Sequence, residues 1–325
     1  MSLKKMLAEW QKCIAASAAH SAFTDLCEFN QQLYCCFREA TDHVSADGQI
    51  GIVQLNGQGE VTAKNRIRIP DTDLRDPKLS ITPDNKLLLL AYGRFKGPKG
   101  RYSQPLSWFS CDGQSWSSAK PLADKNWWLW RLSWHQGTAY GVAYNRAAQQ
   151  TRLYAGNPRR TFECINQDLF SLSKNGKGYP NETDMFFDDN GNMVILLRRD
   201  ADTCTAQLGV AKPPYRRWQW TDLGVYIGGP AMLAMDNNQA LVSGRVWTER
   251  GPKTALLALN LSSKKLRLLT LLPSAGDTSY PGMVLNQEGL YISYYSTHEH
   301  KTMVYLTRFK NDELRALNSE SASLS

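Results

Sequence analysis

From Phe23 onward the apolar residues of this 325-residue chain fall in short runs broken by polar clusters. That is the pattern of β-hairpins rather than of amphipathic helices. Leu26-Cys27-Glu28-Phe29, a turn at Asn30-Gln31-Gln32 and the run Leu33-Tyr34-Cys35-Cys36-Phe37 make the first. The clearest spans Asn181 to Asp200, where apolar runs flank the cluster Asp188-Asp189-Asn190-Gly191-Asn192. Turn centres fall near Gln31, Asn85, Gly137, Asn190, Asn238 and Glu288, at intervals of 54, 52, 53, 48 and 50 residues. A period of about fifty with β patterning inside each unit predicts an all-β fold, a six-bladed β-propeller of four-stranded antiparallel blades. The expected organisation is an N-terminal segment over 1–19, the propeller over 20–310 and a polar tail over 311–325. Leu3, Met6, Leu7, Trp10 and Ile14 fit a helical stripe, so the first segment reads as a helix or as a strand that closes the ring.

Composition narrows the class. A chain with 42% hydrophobic and 21% charged residues is that of an ordinary globular protein, and no apolar run approaches the roughly 18 residues of a membrane helix. The net charge of +8 favours anionic ligands. The lysines and arginines are dispersed, without the basic block of a nucleic-acid binder. Seven cysteines are an odd number and none forms a Cys-x-x-Cys pair of metal-ligand type; Cys27, Cys35 and Cys36, inside apolar strand-like runs, read as buried thiols. With no export signal at the start, the expected setting is cytoplasmic. No cofactor or metal is expected.

The hairpins make a geometric prediction. Each first strand runs inward to its turn and the second returns, so strand starts and strand ends share one face of the disc. The ends carry Arg38, Arg94, Arg146, Arg198, Arg245 and the run Tyr294 to His298. The starts carry Ala18 to Ala22, Asp73 to Asp76, Trp130-Arg131, Tyr179 to Glu182, Ile227 to Pro230 and Thr278 to Pro281. Converging guanidiniums make a site for a carboxylate, sulfate or phosphate. Glu182 lies eight residues before Asn190 and Arg198 eight after, so the two should face each other across the ladder. An ordinary salt bridge is the competing reading. Asp76 lies nine residues before Asn85 and Arg94 nine after, so these two should face each other as well, as an ion pair or as substrate contacts. Trp127, Trp128, Trp130 and Trp134 are either packing between blades or a platform for a sugar ring. His298 and His300 lack a clear third ligand, so His298 reads as a polar contact at the rim.

On these residues the chain resembles the sialidases (neuraminidases), six-bladed propellers with BNR or Asp-box repeats. Arg38, Arg198 and Arg245, in the first, fourth and fifth repeats, resemble their arginine triad. Glu182, sixteen residues before Arg198, resembles their glutamate, and Tyr280 in Asp277-Thr278-Ser279-Tyr280-Pro281-Gly282 their nucleophilic tyrosine. The first arginine stands in Phe37-Arg38-Glu39-Ala40, while an Arg68-Ile69-Pro70 falls between repeats; the Asp-box is shortened to Ser110-Cys111-Asp112-Gly113-Gln114-Ser115-Trp116. The resemblance implies hydrolysis of a glycosidic bond to an acidic sugar, sialic acid or another nonulosonic acid. The triad would hold the carboxylate, Tyr280 would be the nucleophile and Glu182 its base. Asp42 would protonate the leaving oxygen, with His43 as substitute and Asp47 in the same loop. Arg75, Asp76, Arg131 and His298 would contact the substrate. The implied partner is an acidic sugar or glycoconjugate, with no nucleic acid and no membrane insertion. A noncatalytic sugar-binding propeller and a glycan lyase, in which Tyr280 and a histidine take a proton next to a uronate carboxylate, fit the same residues.

Overall fold

The computed structural model describes residues 5–314 except Lys99 and Asn237. Six four-stranded antiparallel sheets are arranged in a ring, a six-bladed propeller. Blade 1 runs through His20–Phe29, Gln32–Ala40, Gln49–Leu55 and Val61–Ile67. The innermost strands of blades 2 to 6 are Asp73–Ile81, Trp128–His135, Pro180–Phe187, Gly228–Ala234 and Thr278–Asn286. Blade 6 takes its outermost strand from the start of the chain: Trp10–Ala15 pairs antiparallel with Met303–Phe309. The tail expected over 311–325 lies outside the described residues beyond 314. No helix among the described residues is long and apolar enough to cross a membrane.

Burial follows strand position. A second strand has a blade packed on each face, so Leu87, Leu88, Leu89, Leu90 and Ala91 are all buried, and the sequence there is a continuous apolar run. The outermost strand Val61–Ile67 has one dry face and alternates partly buried and exposed positions.

One feature recurs in every blade and builds the site. Each innermost strand carries a bulge at the same place, two residues opposing one on the second strand. The bulged pairs are Phe23-Thr24, Asp76-Pro77, Trp130-Arg131, Asn181-Glu182, Gly229-Pro230 and Tyr280-Pro281. A bulge bends the strand and re-aims its side chains. Phe23, Asp76, Gly229 and Tyr280 have φ of 61°, 48°, 57° and 47°. For residues as bulky as Phe and Tyr such values mark strain that the surroundings must hold.

Buried acids tie the bulged strands together. Asp25 of blade 1 accepts the Leu79 N–H of blade 2 at 2.8 Å, and Asp184 of blade 4 accepts the Met232 N–H of blade 5 at 2.7 Å. Arg131 of blade 3 lies between them, 3.1 Å from Asp25 and 3.6 Å from Asp184. It also donates to the Pro281 carbonyl of blade 6.

Candidate active site

Tyr280 and Glu182, 98 residues apart, meet because the bulges of blades 6 and 4 aim both side chains inward. The Tyr280 hydroxyl donates to Glu182 Oε1 at 2.6 Å. The other carboxylate oxygen accepts from Arg198 Nη1 at 2.5 Å and from the Gly229 N–H at 3.0 Å. Arg198 also reaches the Tyr280 oxygen at 3.4 Å and is paired with Asp200 at 3.0 Å. Glu182 is buried and Tyr280 partly exposed. Burial and then the neighbouring Glu182 push the Tyr280 phenol well above its ordinary range, against the pull of Arg198. The phenol is therefore held neutral beside an acceptor that can take its proton.

Arg245 of blade 5 joins Arg198 through Tyr226. Both guanidiniums lie over the Tyr226 ring, at 6.0 and 5.6 Å from its centroid, and Arg245 donates to the Tyr226 hydroxyl at 3.2 Å. Its Nε is buried and has no hydrogen-bond partner among the described residues, a donor left available within the cluster. Tyr226 was not anticipated from the sequence; it precedes the bulged strand and belongs to no periodic pattern.

Arg38 does not present itself as the third member of a triad. It is fully buried, and its guanidinium donates to Asp73 at 3.0 and 3.2 Å, to the Asp42 carbonyl at 2.8 Å and to the Ser45 carbonyl at 2.6 Å. Arg75 bonds the second oxygen of Asp73 at 2.7 Å and the His43 carbonyl at 2.5 Å. These two arginines share the single carboxylate of Asp73 in a buried cluster behind loop 41–48, and carbonyls of that loop take up further donors. Arg94, expected opposite Asp76, faces Asp73 instead, because the hairpin turns one residue before Asn85, which moves the pairing by two positions, and the bulge moves it by one more.

The acid expected at Asp42 is corrected in the same way. Its carboxylate accepts the N–H groups of Val44 and Ser45 at 2.7 and 2.6 Å, a turn-forming role that lowers its pKa. Asp47 accepts from the Thr41 N–H and hydroxyl and ties the same loop at its base. His43, exposed at the crest of the loop, lies with its ring 5.0 Å from that of Phe23, which in turn lies 5.3 Å from Tyr280.

Other expected contacts divide. Asp76 is buried at the blade 2 bulge, and burial raises its pKa against the charges of Lys78 and Arg75. Asp76 feels the charge of Glu182, and Tyr280 that of Asp76, which places it in the central cluster. Arg131, expected at the substrate, is instead engaged by Asp25 and Asp184. His298 packs on Tyr305 at 4.8 Å and bonds Ser296 at 2.9 Å, on the outer part of blade 6. Trp130 packs 5.2 Å from Tyr280 under the cluster, and Trp128 is stacked between Tyr92 and Tyr144.

His20, His43 and Asp277 bring ligand-type atoms within 4.8 Å of one another. They do not fit a metal well. Both histidines already bond Asp277, at 3.0 and 2.6 Å, and the remaining His20 nitrogen is buried without a partner among the described residues. A metal-bound histidine has that second nitrogen anchored.

No family model matches the chain, and no curated protein matches it in sequence. Solved structures do match in fold. A protein of unknown function from Dyadobacter fermentans superposes with a TM-score of 0.77 at 16% identity, covering 95% of this chain and all of that one. The Trypanosoma rangeli sialidase in complex with sialic acid gives 0.70 at 10% identity, covering 97% of this chain and 59% of that one. The Penicillium chrysogenum α-L-arabinanase complexed with arabinobiose gives 0.68 at 13%, covering 94% and 99%. The six-bladed propeller is thus a fold this chain shares with these structures.

Proposed function

We propose that the protein is a retaining exo-glycoside hydrolase acting on a glycosidically linked acidic sugar, sialic acid or a related nonulosonic acid. The observation that supports this most directly is the Tyr280–Glu182 hydrogen bond of 2.6 Å flanked by Arg198. A sugar whose anomeric carbon bears a carboxylate repels a carboxylate nucleophile, and a neutral phenol avoids that repulsion. Arg198 and Arg245 hold the substrate carboxylate in this reading, two guanidiniums rather than three. In the first half-reaction the Tyr280 oxygen bonds to the anomeric carbon, its proton passes to Glu182, and the glycosidic bond breaks as the leaving oxygen is protonated. Water then displaces the tyrosine, which recovers its proton from Glu182. Because the phenol is held well above its ordinary range, proton transfer accompanies attack rather than preceding it.

The test is release of aglycone from aryl glycosides of sialic, deaminated and octulosonic acids. Wild type should turn over at least one of them, and Tyr280→Phe should lose at least about 10³-fold in kcat while binding the free sugar within a few-fold. If wild type and variant both bind the sugar and neither releases aglycone, the protein is a sugar-binding propeller and not a hydrolase.

A further inference from the structure

Loop 41–48 joins the second and third strands of blade 1, and unusually costly groups fasten it. The buried Arg38 and Arg75, both fixed by the buried Asp73, place their remaining donors on the carbonyls of residues 42, 43 and 45. Two guanidiniums and a carboxylate taken out of water carry a large desolvation cost. Asp42 and Asp47 add turn bonds within the loop itself. Apart from the Thr41 hydroxyl, everything so fixed is backbone, and the side chain it aims is His43.

The ring of His43 is set by three contacts. It meets Phe23 edge-on at 5.0 Å, it lies 5.5 Å from His20, and its Nδ1 is 2.6 Å from Asp277 Oδ2. Asp277 is itself held by His20 Nε2 at 3.0 Å and by the Tyr295 hydroxyl at 2.8 Å. A carboxylate only accepts, so each of these partners donates and the His43 proton sits on Nδ1. The opposite nitrogen, Nε2, has no protein partner among the described residues. It belongs to an exposed ring separated from Tyr280 by the single side chain of Phe23.

We propose that His43, oriented by Asp277, is the acid/base of the hydrolysis argued above, and this inference rests on that reading. Imidazolium Nε2–H gives its proton to the leaving oxygen as the Tyr280 oxygen bonds to carbon. In the second half neutral Nε2 takes a proton from the attacking water as the carbon–tyrosine bond breaks and Glu182 returns its proton to Tyr280. His43 is then restored as imidazolium, and protons balance over the cycle. Asp277 is a positioning residue that fixes the tautomer and supports the cation. The other charged or titratable groups around His43 are His20, Tyr295, Arg75, Arg38, Asp73 and Asp42.

Two experiments test this. With aryl glycosides of one accepted sugar, a poor leaving phenol needs the proton and a good one does not. His43→Gln should therefore lose about 10²-fold or more on phenols of ordinary acidity and less than about tenfold on nitrophenols. Equal losses on both would overturn the assignment. Asp277→Asn should move the alkaline limb of the kcat/KM profile to lower pH, because the neutral amide no longer stabilises the imidazolium; an unmoved limb would count against the dyad. Nitrogen-15 histidine spectra of the wild-type protein give a reading that needs no turnover. Protonation of neutral His43 on Nδ1 supports the proposal, and protonation on Nε2 overturns it whether or not the hydrolase reading stands.

Discussion

A Cβ on Gly229 would lie 2.1 Å from Cδ1 and 2.6 Å from Cε1 of Tyr280. Gly229 also sits at φ 57°, and its N–H donates to Glu182. Three requirements thus meet at one residue: a left-handed backbone, room for the nucleophile's ring and a donor for its base. Gly229→Ala should lower stability by about 1–3 kcal/mol from backbone strain and overpacking, and turnover by about 10²-fold as the phenol is displaced from Glu182. Thermal melts and kcat on an accepted glycoside measure the two effects. A variant with a lowered melting temperature and unchanged kcat would mean that Tyr280 does not need this position. Single residues were also where the sequence was least legible. Arg38 shares its position one residue past the bulge with Arg245, yet Asp73 and two loop carbonyls claim it. Nothing in the spacing of arginines reports that. Asp277 lies three residues before Tyr280 in a loop without periodicity, and His20 opens an otherwise unremarkable strand; their meeting depends on how blade 6 closes on blade 1.

At the scale of the strand the hairpin period was readable, because burial on both faces of second strands forces continuous apolar runs between polar turns. The bulges were not, since a two-for-one register leaves no mark on an apolar pattern. They help decide which side chains reach the centre: Glu182 and Arg198 meet across one, while another adds one residue to the offset between Asp76 and Arg94. Arg131 belongs to the third bulge, and its position between Asp25 and Asp184 makes it a strut between blades rather than a ligand for substrate. Arg131→Met would leave two buried carboxylates without their shared partner and should destabilise by about 3–5 kcal/mol. Urea unfolding should show a lower midpoint with an unchanged slope, and acidic-sugar affinity of the folded fraction should stay within a few-fold. Loss of affinity with stability intact would return Arg131 to the substrate.

The ring closes at the seam between blades 6 and 1, and Tyr280 and Asp277 of the candidate site lie on that seam. Thr24 of blade 1 donates to the Tyr280 carbonyl at 2.7 Å, His20 bonds Asp277 at 3.0 Å, and a Cβ on Gly282 would come within 2.0 Å of the Leu26 nitrogen. Such close approach leaves no slack between the two inner strands. On the outside, Trp10–Ala15 holds the same seam. It completes blade 6 by pairing with Met303–Phe309, and Lys12 reaches the Gln58 carbonyl of blade 1 at 2.7 Å. A chain beginning at Ser17 loses this clasp and exposes Met303–Phe309 as an open edge. Local unfolding starts where contacts are fewest, so the loss should not spread evenly around the ring. Hydrogen exchange in the truncated protein should accelerate first in His20–Phe29 and Thr278–Ser296, with Trp128–His135 and Pro180–Phe187 protected longer. Glycoside turnover should fall in step with exchange at Tyr280, before the global melting transition. If exchange instead rises uniformly in all six blades, or not at all, the N-terminal strand is not what holds Tyr280 and Asp277 against blade 1.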